Sequence, residues 1–122
     1  MRRVVVFGVF DRLHPGHLFF LKRAKHHGDH LTVVITRDVR AKVEKGRAPT
    51  LNERDRLTIL RAIRCVDNAT LGDRVGKWKI VRTLRPDIVC IGYDQDAKWL
   101  SKSKLSRVPL IIRIPRLKNY HT

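Results

Sequence analysis

Short apolar runs alternate with amphipathic segments along the 122-residue chain. The apolar runs are rich in β-branched residues and have the length of buried strands. They lie at Val4–Phe10, Leu31–Thr36, Val66–Leu71, Asp87–Gly92 and Val108–Ile114. The segments between them carry apolar residues at helical spacing, which predicts helices. The predicted helices are His17–His27, Thr50–Arg64, Asp73–Arg85 and Ala97–Leu105.

Apolar strands that alternate with helices form parallel sheets covered on both faces. The pattern therefore predicts an α/β, Rossmann-like fold: a five-stranded parallel sheet with helices on both faces. A single domain is predicted over residues 1–122, because no linker, repeat or low-complexity segment interrupts the alternation. Ligands of such folds bind beyond the carboxyl ends of the strands. We therefore expect the chemistry in the turns after Phe10, Thr36, Leu71, Gly92 and Ile114.

Local signals predict where two of the helices begin. Thr50 and Glu53 have the spacing of a capping box at the start of the second helix. Its predicted apolar face carries Ile59, Leu60 and Ile63. Asp73 is the candidate cap of the third helix. Residues 37–49 are basic and lack a clean period, which predicts a mobile loop.

Charge and cysteine content narrow the class of protein. Lys and Arg total 27 against 11 Asp and Glu, so the formal net charge is +16. This excess predicts a polyanionic partner. Nucleic acid, nucleotide phosphates and a membrane surface are the three candidates, and charge alone does not choose among them. No apolar run approaches the ~20 residues that span a bilayer. Cys65 and Cys90 make no disulfide framework, so a reducing cytoplasm is the expected location.

The most specific pattern lies at the first strand–turn–helix junction. It reads Gly8-Val9-Phe10-Asp11-Arg12-Leu13-His14-Pro15-Gly16-His17 and contains neither GxGxxG nor GK[ST]. His14 and His17 share a helix N-terminus, where free N–H groups and the dipole favour phosphate. For His17, a buried core histidine and a metal-binding pair with His14 are the alternatives. Asp11 is a candidate for either helix capping or the nucleotide site.

This segment resembles the GxFDxxHxGH signature of the cytidylyltransferase-like nucleotidyltransferases at every signature position. The resemblance implies transfer of a nucleoside monophosphate from a nucleoside triphosphate to a phosphate-bearing acceptor, with release of pyrophosphate. It implies that His14 and His17 are catalytic and stabilise the pentavalent transition state. Nucleotide-binding roles are implied for Gly8, Val9, Phe10, Asp11 and Gly16. No metal ligands are assigned in the protein; Mg²⁺ is expected to arrive with the triphosphate.

The resemblance extends along nearly all of the chain. Lys42 and Lys45 match a basic loop whose lysines close over the triphosphate in the family, with Lys45 taken as catalytic. A solvated run of charges is the alternative. Arg64 matches an arginine two residues before Val-Asp, and the resemblance implies that it reaches the triphosphate. Its alternative is a cation that interacts with the dipole at a helix C-terminus.

Two later turns also match the family. Asp94 falls in an acidic turn that contacts the base or ribose in relatives, with helix capping as the alternative. Arg116 and Thr122 match the first and last positions of the closing motif Arg-Thr-x-Gly-Ile-Ser-Thr, but the Thr, Gly, Ile and Ser positions differ. His121, in the Ser position, is a candidate donor. The family continues into a final helix, which we expect to be missing after residue 122.

Two subfamilies of these enzymes are candidates for this sequence. Thr36–Asp38, Lys45–Pro49 and Gly92–Gln95 look like the archaeal-type FAD synthases, which favours ATP and FMN as substrates. Glycerol-3-phosphate cytidylyltransferases, which use CTP, share the signature and remain the alternative. A non-catalytic nucleotide sensor and a nucleic-acid-binding module are further alternatives, the latter weakened by an aromatic content of only 7%. Small enzymes of this family commonly pair, which implies a homodimer.

Overall fold

The computed structural model describes residues 1–102 and 105–118. These residues form five strands: β1 (Arg3–Gly8), β2 (His30–Ile35), β3 (Asn68–Leu71), β4 (Ile88–Ile91) and β5 (Leu110–Arg113). They form four α-helices: α1 (Pro15–His26), α2 (Asp38–Lys45), α3 (Glu53–Arg61) and α4 (Trp78–Leu84). A 3₁₀ helix spans Lys98–Lys102, within the region predicted as an α-helix.

The strands form one sheet in the order β3-β2-β1-β4-β5, and all neighbouring strands are parallel. The predicted fold class is therefore confirmed. The chain builds outward from β1 to β3 and then crosses back to place β4 on the other side of β1. The direction of winding reverses between β1 and β4, and a crevice opens there at the carboxyl ends of the strands.

Apolar side chains cover both faces of the sheet. Val4 and Val6 of β1 pack in the cluster that includes residues of α1 and α3. Val5 and Phe7, which alternate with them, pack against α4 and the 3₁₀ helix. A strand buried on both faces needs apolar residues throughout, which is why the central strands read as continuous apolar runs.

Residues 37–49 are the main error of the sequence-based prediction, because helix α2 lies where a mobile loop was expected. Ala41 is the only buried residue of this helix, so the apolar period is too weak to read. Polar signals mark its ends instead. Asp38 lies in the first turn, and Gly46 ends the helix with φ +79° while donating its N–H to the carbonyl of Lys42.

Helix α3 begins later than predicted, and Thr50 does not cap it. The side chain of Asn52 is the cap and accepts the N–H of Asp55 at 2.8 Å. Glu53 accepts the N–H of Asp38, and Asp38 accepts the N–H of Glu53, so α2 and α3 cap each other's N-termini. The predicted apolar face is correct at Leu60, which is buried, and wrong at Ile59, which is 41% exposed.

The predicted start of the helix before β4 is wrong, because Lys77 and not Asp73 is its N-cap residue. Helix α4 begins only at Trp78, five residues after Asp73. The carboxylate of Asp73 nevertheless accepts the N–H groups of Lys79 and Ile80 in the first turn. Arg85, with φ +49°, ends the helix immediately before Pro86.

Candidate active site

A cavity of about 660 Å³ opens at the carboxyl edge of the sheet, over the crevice between β1 and β4. Its volume lies within the range of about 300–1,000 Å³ that is typical of small-molecule sites. Three segments form its walls: the turn after β1, the end of α2 with the residues that follow, and the turn after β4. The lining residues are Phe7, Gly8, Val9, Phe10, Asp11, Arg12, His14, His17, Phe20, Ala41, Lys45, Arg47, Ala48, Pro49, Thr50, Gly92, Asp94 and Gln95.

His14 and His17 form a capping box at the start of α1 in which both side chains are imidazoles. The Nδ1 atom of His14, the N-cap residue, accepts the N–H of Gly16 at 3.0 Å. The Nδ1 atom of His17 accepts the backbone N–H of His14 at 3.1 Å. Pro15 occupies N1, where a missing N–H has no cost. The geometry explains the His-Pro-Gly-His order, which joins a reciprocal cap to a helix that can start directly below the cavity.

The N–H groups of this first turn are occupied, contrary to the expectation that they would be free for phosphate. Gly16 donates to the side chain of His14, while His17 and Leu18 donate to its carbonyl. Gly16 is buried and is not among the lining residues, so its nucleotide-binding role stays a prediction. The helix dipole and the two imidazole rings remain as the means of attracting phosphate here.

The hydrogen bonds of the two rings decide where their protons lie. A ring nitrogen that accepts an N–H carries no hydrogen, so each neutral ring holds its proton on Nε2. The rings are 4.0 Å apart between centroids. Burial, and then the proximity of His14, lowers the pKa of His17 to about 4. His17 is therefore neutral at pH 7 and carries an Nε2–H donor beside the cavity.

The ring of Phe10 lies between Gly8 and His17. Phe10 has φ +53°, a left-handed conformation that costs a non-glycine residue free energy. A Cβ at Gly8 would lie 2.7 Å from this ring, so a larger residue there would have to displace the ring. The ring is 5.9 Å from that of His17 in an edge-on arrangement. The strained turn thus places an apolar wall against the buried histidine.

Asp11 does not cap α1, which was one of its two predicted roles. Its carboxylate accepts the backbone N–H groups of Thr50 and Leu51 at 2.7 and 3.0 Å. Burial by itself would raise the pKa of Asp11, but the hydrogen bonds from Leu51 and Thr50, with the positive charge of Arg56, hold the pKa below the ordinary value. Asp11 therefore ties the turn after β1 to the segment before α3 and closes one side of the cavity.

The sequence pattern assigned no role to Arg56, although its guanidinium joins the segments that build the site. Its side chain is fully buried. It donates to the carbonyl oxygens of Leu51, Val9 and Thr36 at 3.1, 2.8 and 2.8 Å. It also pairs with Asp38 at 2.7 Å. One arginine thus joins the ends of β1 and β2 to α2 and to the segment before α3.

A sequence signal for Arg56 did exist. Arg56 precedes Leu60 by four residues and Ile63 by seven, so helical spacing places it on the buried face of α3. Arginine is almost never fully buried unless it is paired. An arginine at a buried helical position therefore predicts an internal network, although it does not say with which strands.

The positive side chains at the cavity are only partly those expected. Lys45, at the end of α2, lines the cavity as predicted, whereas Lys42 does not. Arg12 and Arg47 also line it and were not singled out from the sequence. With His14 and His17, these cations make the carboxyl edge a suitable place for a polyphosphate.

Two other predicted residues lie away from the cavity, and a third falls outside the described residues. Arg64 follows α3, which runs back to the amino ends of the strands. Nearby, Asp67 accepts the N–H of Leu31 at the start of β2. Within one chain, Arg64 is therefore at the edge opposite the cavity, and its predicted contact with the triphosphate is not supported. Arg116 lies over the ring of Tyr93, beside the turn after β4 but outside the lining. Thr122, like His121, lies outside the described residues.

Among residues 1–102 and 105–118, no group of three or more His, Cys, Asp or Glu side chains is arranged to hold a metal ion. The same part of the chain contains no helix long and apolar enough to cross a bilayer.

Comparison with known proteins shows the family to which the chain belongs. Residues 5–121 match the family model described as cytidylyltransferase-like. A solved structure described as the lipopolysaccharide core biosynthesis protein from Thermoplasma volcanium superposes with a TM-score of 0.90 at 39% identity, covering 97% of this chain and 99% of that one. The chain therefore belongs to the cytidylyltransferase-like family, and the predicted nucleotidyltransferase class is confirmed.

Within that family, the chain is similar to FAD synthases. It is 44% identical to the FAD synthase of Methanothrix thermoacetophila over 96% of this chain and 81% of that protein. It is 43% identical to the Pyrococcus abyssi enzyme over 94% and 79%. It is 39% identical to the Thermoplasma volcanium enzyme over 98% and 84%. The predicted resemblance to this subfamily is therefore confirmed.

Proposed function

We propose that this chain is an FMN adenylyltransferase. A phosphate oxygen of FMN attacks the α-phosphorus of ATP, the new P–O bond completes FAD, and pyrophosphate leaves. The observation that carries the proposal is the pair of imidazoles, His14 and His17, at a cavity over the crevice between β1 and β4. The identity of 39–44% to three FAD synthases supports the choice of substrates.

The reaction needs positioning and positive electrostatic potential more than covalent chemistry. Negative charge grows on the non-bridging oxygens of the α-phosphate in the transition state. His14 and His17 each carry an Nε2–H that can donate to these oxygens. Because the ring of His17 is neutral and buried, it acts as a hydrogen-bond donor and not as a proton source. Lys45, Arg12 and Arg47 would stabilise the charge of the departing pyrophosphate.

The turn after β4 is the proposed site for the nucleoside of ATP. Asp94 and Gln95 face the same cavity as the histidines. An acidic side chain there is suited to a ribose hydroxyl or an amino group of the base, since both donate hydrogen bonds. Gly8, Val9 and Phe10 line the same cavity, and their backbone is proposed to approach the phosphates.

Mg²⁺ is proposed to enter with the triphosphate. Asp11 uses both carboxylate oxygens to accept backbone N–H groups, so it is poorly suited as a ligand. Asp94 alone is a weak site, and Mg²⁺ usually combines one or two carboxylates with substrate phosphates. Removal of the ion with EDTA should abolish turnover, and added Mg²⁺ should restore it. A homodimer and a cytoplasmic location stay predictions, which light scattering and cell fractionation test.

The test of the function is a matrix of ATP, CTP, GTP and UTP against FMN, glycerol 3-phosphate and choline phosphate, read by pyrophosphate release. FAD from ATP and FMN, identified by chromatography, is the expected product. His14→Ala and His17→Ala should lose it. His26→Ala, at the other end of the same helix and exposed, is the matched control.

Other outcomes of this matrix identify other functions. Turnover of CTP with glycerol 3-phosphate would replace the proposal by the cytidylyltransferase alternative. Tight ATP binding with no turnover of any acceptor would instead indicate a nucleotide sensor. Neither binding nor turnover, with retention of duplex DNA or RNA at physiological salt, would indicate the nucleic-acid module.

A further inference from the structure

Arg113, the last residue of β5, binds the turn after β4 from outside the cavity. Its Nη1 atom lies 3.0 Å from the carbonyl oxygen of Gly92, 3.1 Å from that of Tyr93 and 2.7 Å from that of Gln95. Three carbonyl dipoles therefore converge on one cationic nitrogen. Arg113 itself is not among the residues that line the cavity.

Gln95 joins the same turn to β1. Its Oε1 atom accepts the N–H of Gly92 at 2.7 Å, and its Nε2 atom donates to the carbonyl of Phe7 at 3.0 Å. The N–H of Gln95 also donates to the carbonyl of Gly92 at 3.2 Å, which closes the turn on itself. The turn after β4 is thus held from β5 on one side and from β1 on the other.

This arrangement sets the direction of the peptide groups in the turn. The C=O and N–H of one peptide point in opposite directions, so carbonyls drawn to Arg113 turn the N–H groups of Tyr93 and Asp94 away from it. The side chain of Asp94 folds back over Gly92, since a Cβ added there would lie 3.4 Å from its Oδ1 atom. Arg113 therefore governs where Asp94 and its neighbouring N–H groups are presented.

We propose that Arg113 is a positioning residue for the nucleoside half of ATP, holding residues 92–95 in the shape that binds it. The inference rests on the proposed function and assigns a role to a residue outside every motif of the sequence. Arginine suits the position because it keeps its positive charge and places one nitrogen, Nη1, within reach of all three carbonyl oxygens. Lysine would keep the charge but would carry it on a differently shaped side chain, so its ammonium group would not take the place of Nη1 among the carbonyls.

The experiment compares Arg113→Met and Arg113→Lys with the wild type in steady-state FAD synthesis and in ATP binding by calorimetry. For Arg113→Met we expect the KM and Kd for ATP to rise about tenfold, which corresponds to about 1.4 kcal/mol. The kcat and the KM for FMN should change less than roughly twofold. Arg113→Lys should recover part of the affinity. Arg54→Met, an exposed arginine on α3, is the matched control and should behave as wild type.

Two results would overturn the inference: an unchanged affinity of Arg113→Met for ATP, or an equal rise in the KM values for ATP and FMN. Thermal unfolding of each variant separates loss of the turn from loss of the fold, and Arg113→Lys carries the test if Arg113→Met does not fold. Should wild type bind ATP but make no FAD, the proposed function fails, while the calorimetric comparison still decides the role of Arg113. No ATP binding by wild type overturns both.

Discussion

The ring of His17 accepts the backbone N–H of His14 through Nδ1 at 3.1 Å. The same contact that caps α1 orients the second imidazole beside the cavity. Helix capping uses Nδ1 of each ring, whereas the proposed contact with phosphate uses Nε2. Because the two roles depend on different atoms, substitution can separate stability from catalysis.

His14→Ser tests this separation directly. Serine is a good N-cap residue but is too short to reach a phosphate in the cavity. We expect the free energy of unfolding in urea to change by less than about 1 kcal/mol. We expect kcat to fall about 100-fold or more, as when one transition-state donor is removed. His14→Ala should lose both the cap and the activity. Full activity of His14→Ser would contradict a catalytic role for the ring.

The stability of the protein should depend on pH through His17. Its pKa is lowered to about 4 from 6.5 by burial and by His14. Between these values the unfolded chain binds more protons than the folded protein. His17 therefore leaves the free energy of unfolding unchanged above pH 6.5 and lowers it by up to about 3 kcal/mol as the pH falls towards 4. Urea unfolding at pH 7 and pH 5 measures it. His17→Gln should show a smaller difference between the two, and an equal difference would refute the assignment.

Arg56→Met should be among the most destabilising substitutions in the chain. It leaves the carbonyls of Val9 and Thr36 without their donor and removes the partner of Asp38. We expect a loss of about 3 kcal/mol in the free energy of unfolding. Arg54→Met, two residues earlier and exposed, should cost less than about 0.5 kcal/mol. Equal effects of the two variants would show that the buried network contributes little.

Gly8→Ala should damage the site through the ring of Phe10. The added Cβ would lie 2.7 Å from that ring, which must move from its place against His17. We expect a loss of about 1–3 kcal/mol in stability and a fall in the rate of FAD formation. Adding Phe10→Leu to Gly8→Ala should restore part of the stability. If the double variant is no more stable than Gly8→Ala, a clash with the ring is not the cause.

The large positive charge now has a partial structural explanation. Arginines bind main-chain carbonyls at the carboxyl ends of the strands, in addition to carboxylates. Arg37 donates to the carbonyl of Gly72, Arg56 to those of Val9 and Thr36, and Arg113 to three in the turn after β4. These carbonyls carry no net charge, so the arginines shape the turns while adding positive potential at the edge proposed to bind ATP.

Local patterns succeeded where burial is strong and failed where it is weak. The strand cores were predicted because β1, β2 and β4 are apolar on both faces. Helix α2 was missed because it buries only Ala41. The cap at Thr50 was wrong because the N–H of Thr50 is taken by Asp11, a residue 39 positions away. Competition from a distant acceptor leaves no trace in a local capping pattern.

By itself, the sequence determined the parallel α/β fold and the turn from Gly8 to His17, because strand burial and helix capping depend on neighbouring residues. The tertiary structure decided which charges meet. It brought Lys45 to the cavity, left Arg64 at the opposite edge, and buried His17 so that its ring stays neutral. It also joined Arg56 to Val9 across 47 positions and Arg113 to Gln95 across 18. Such contacts depend on how strands are ordered in space, and that order has no local period along the chain.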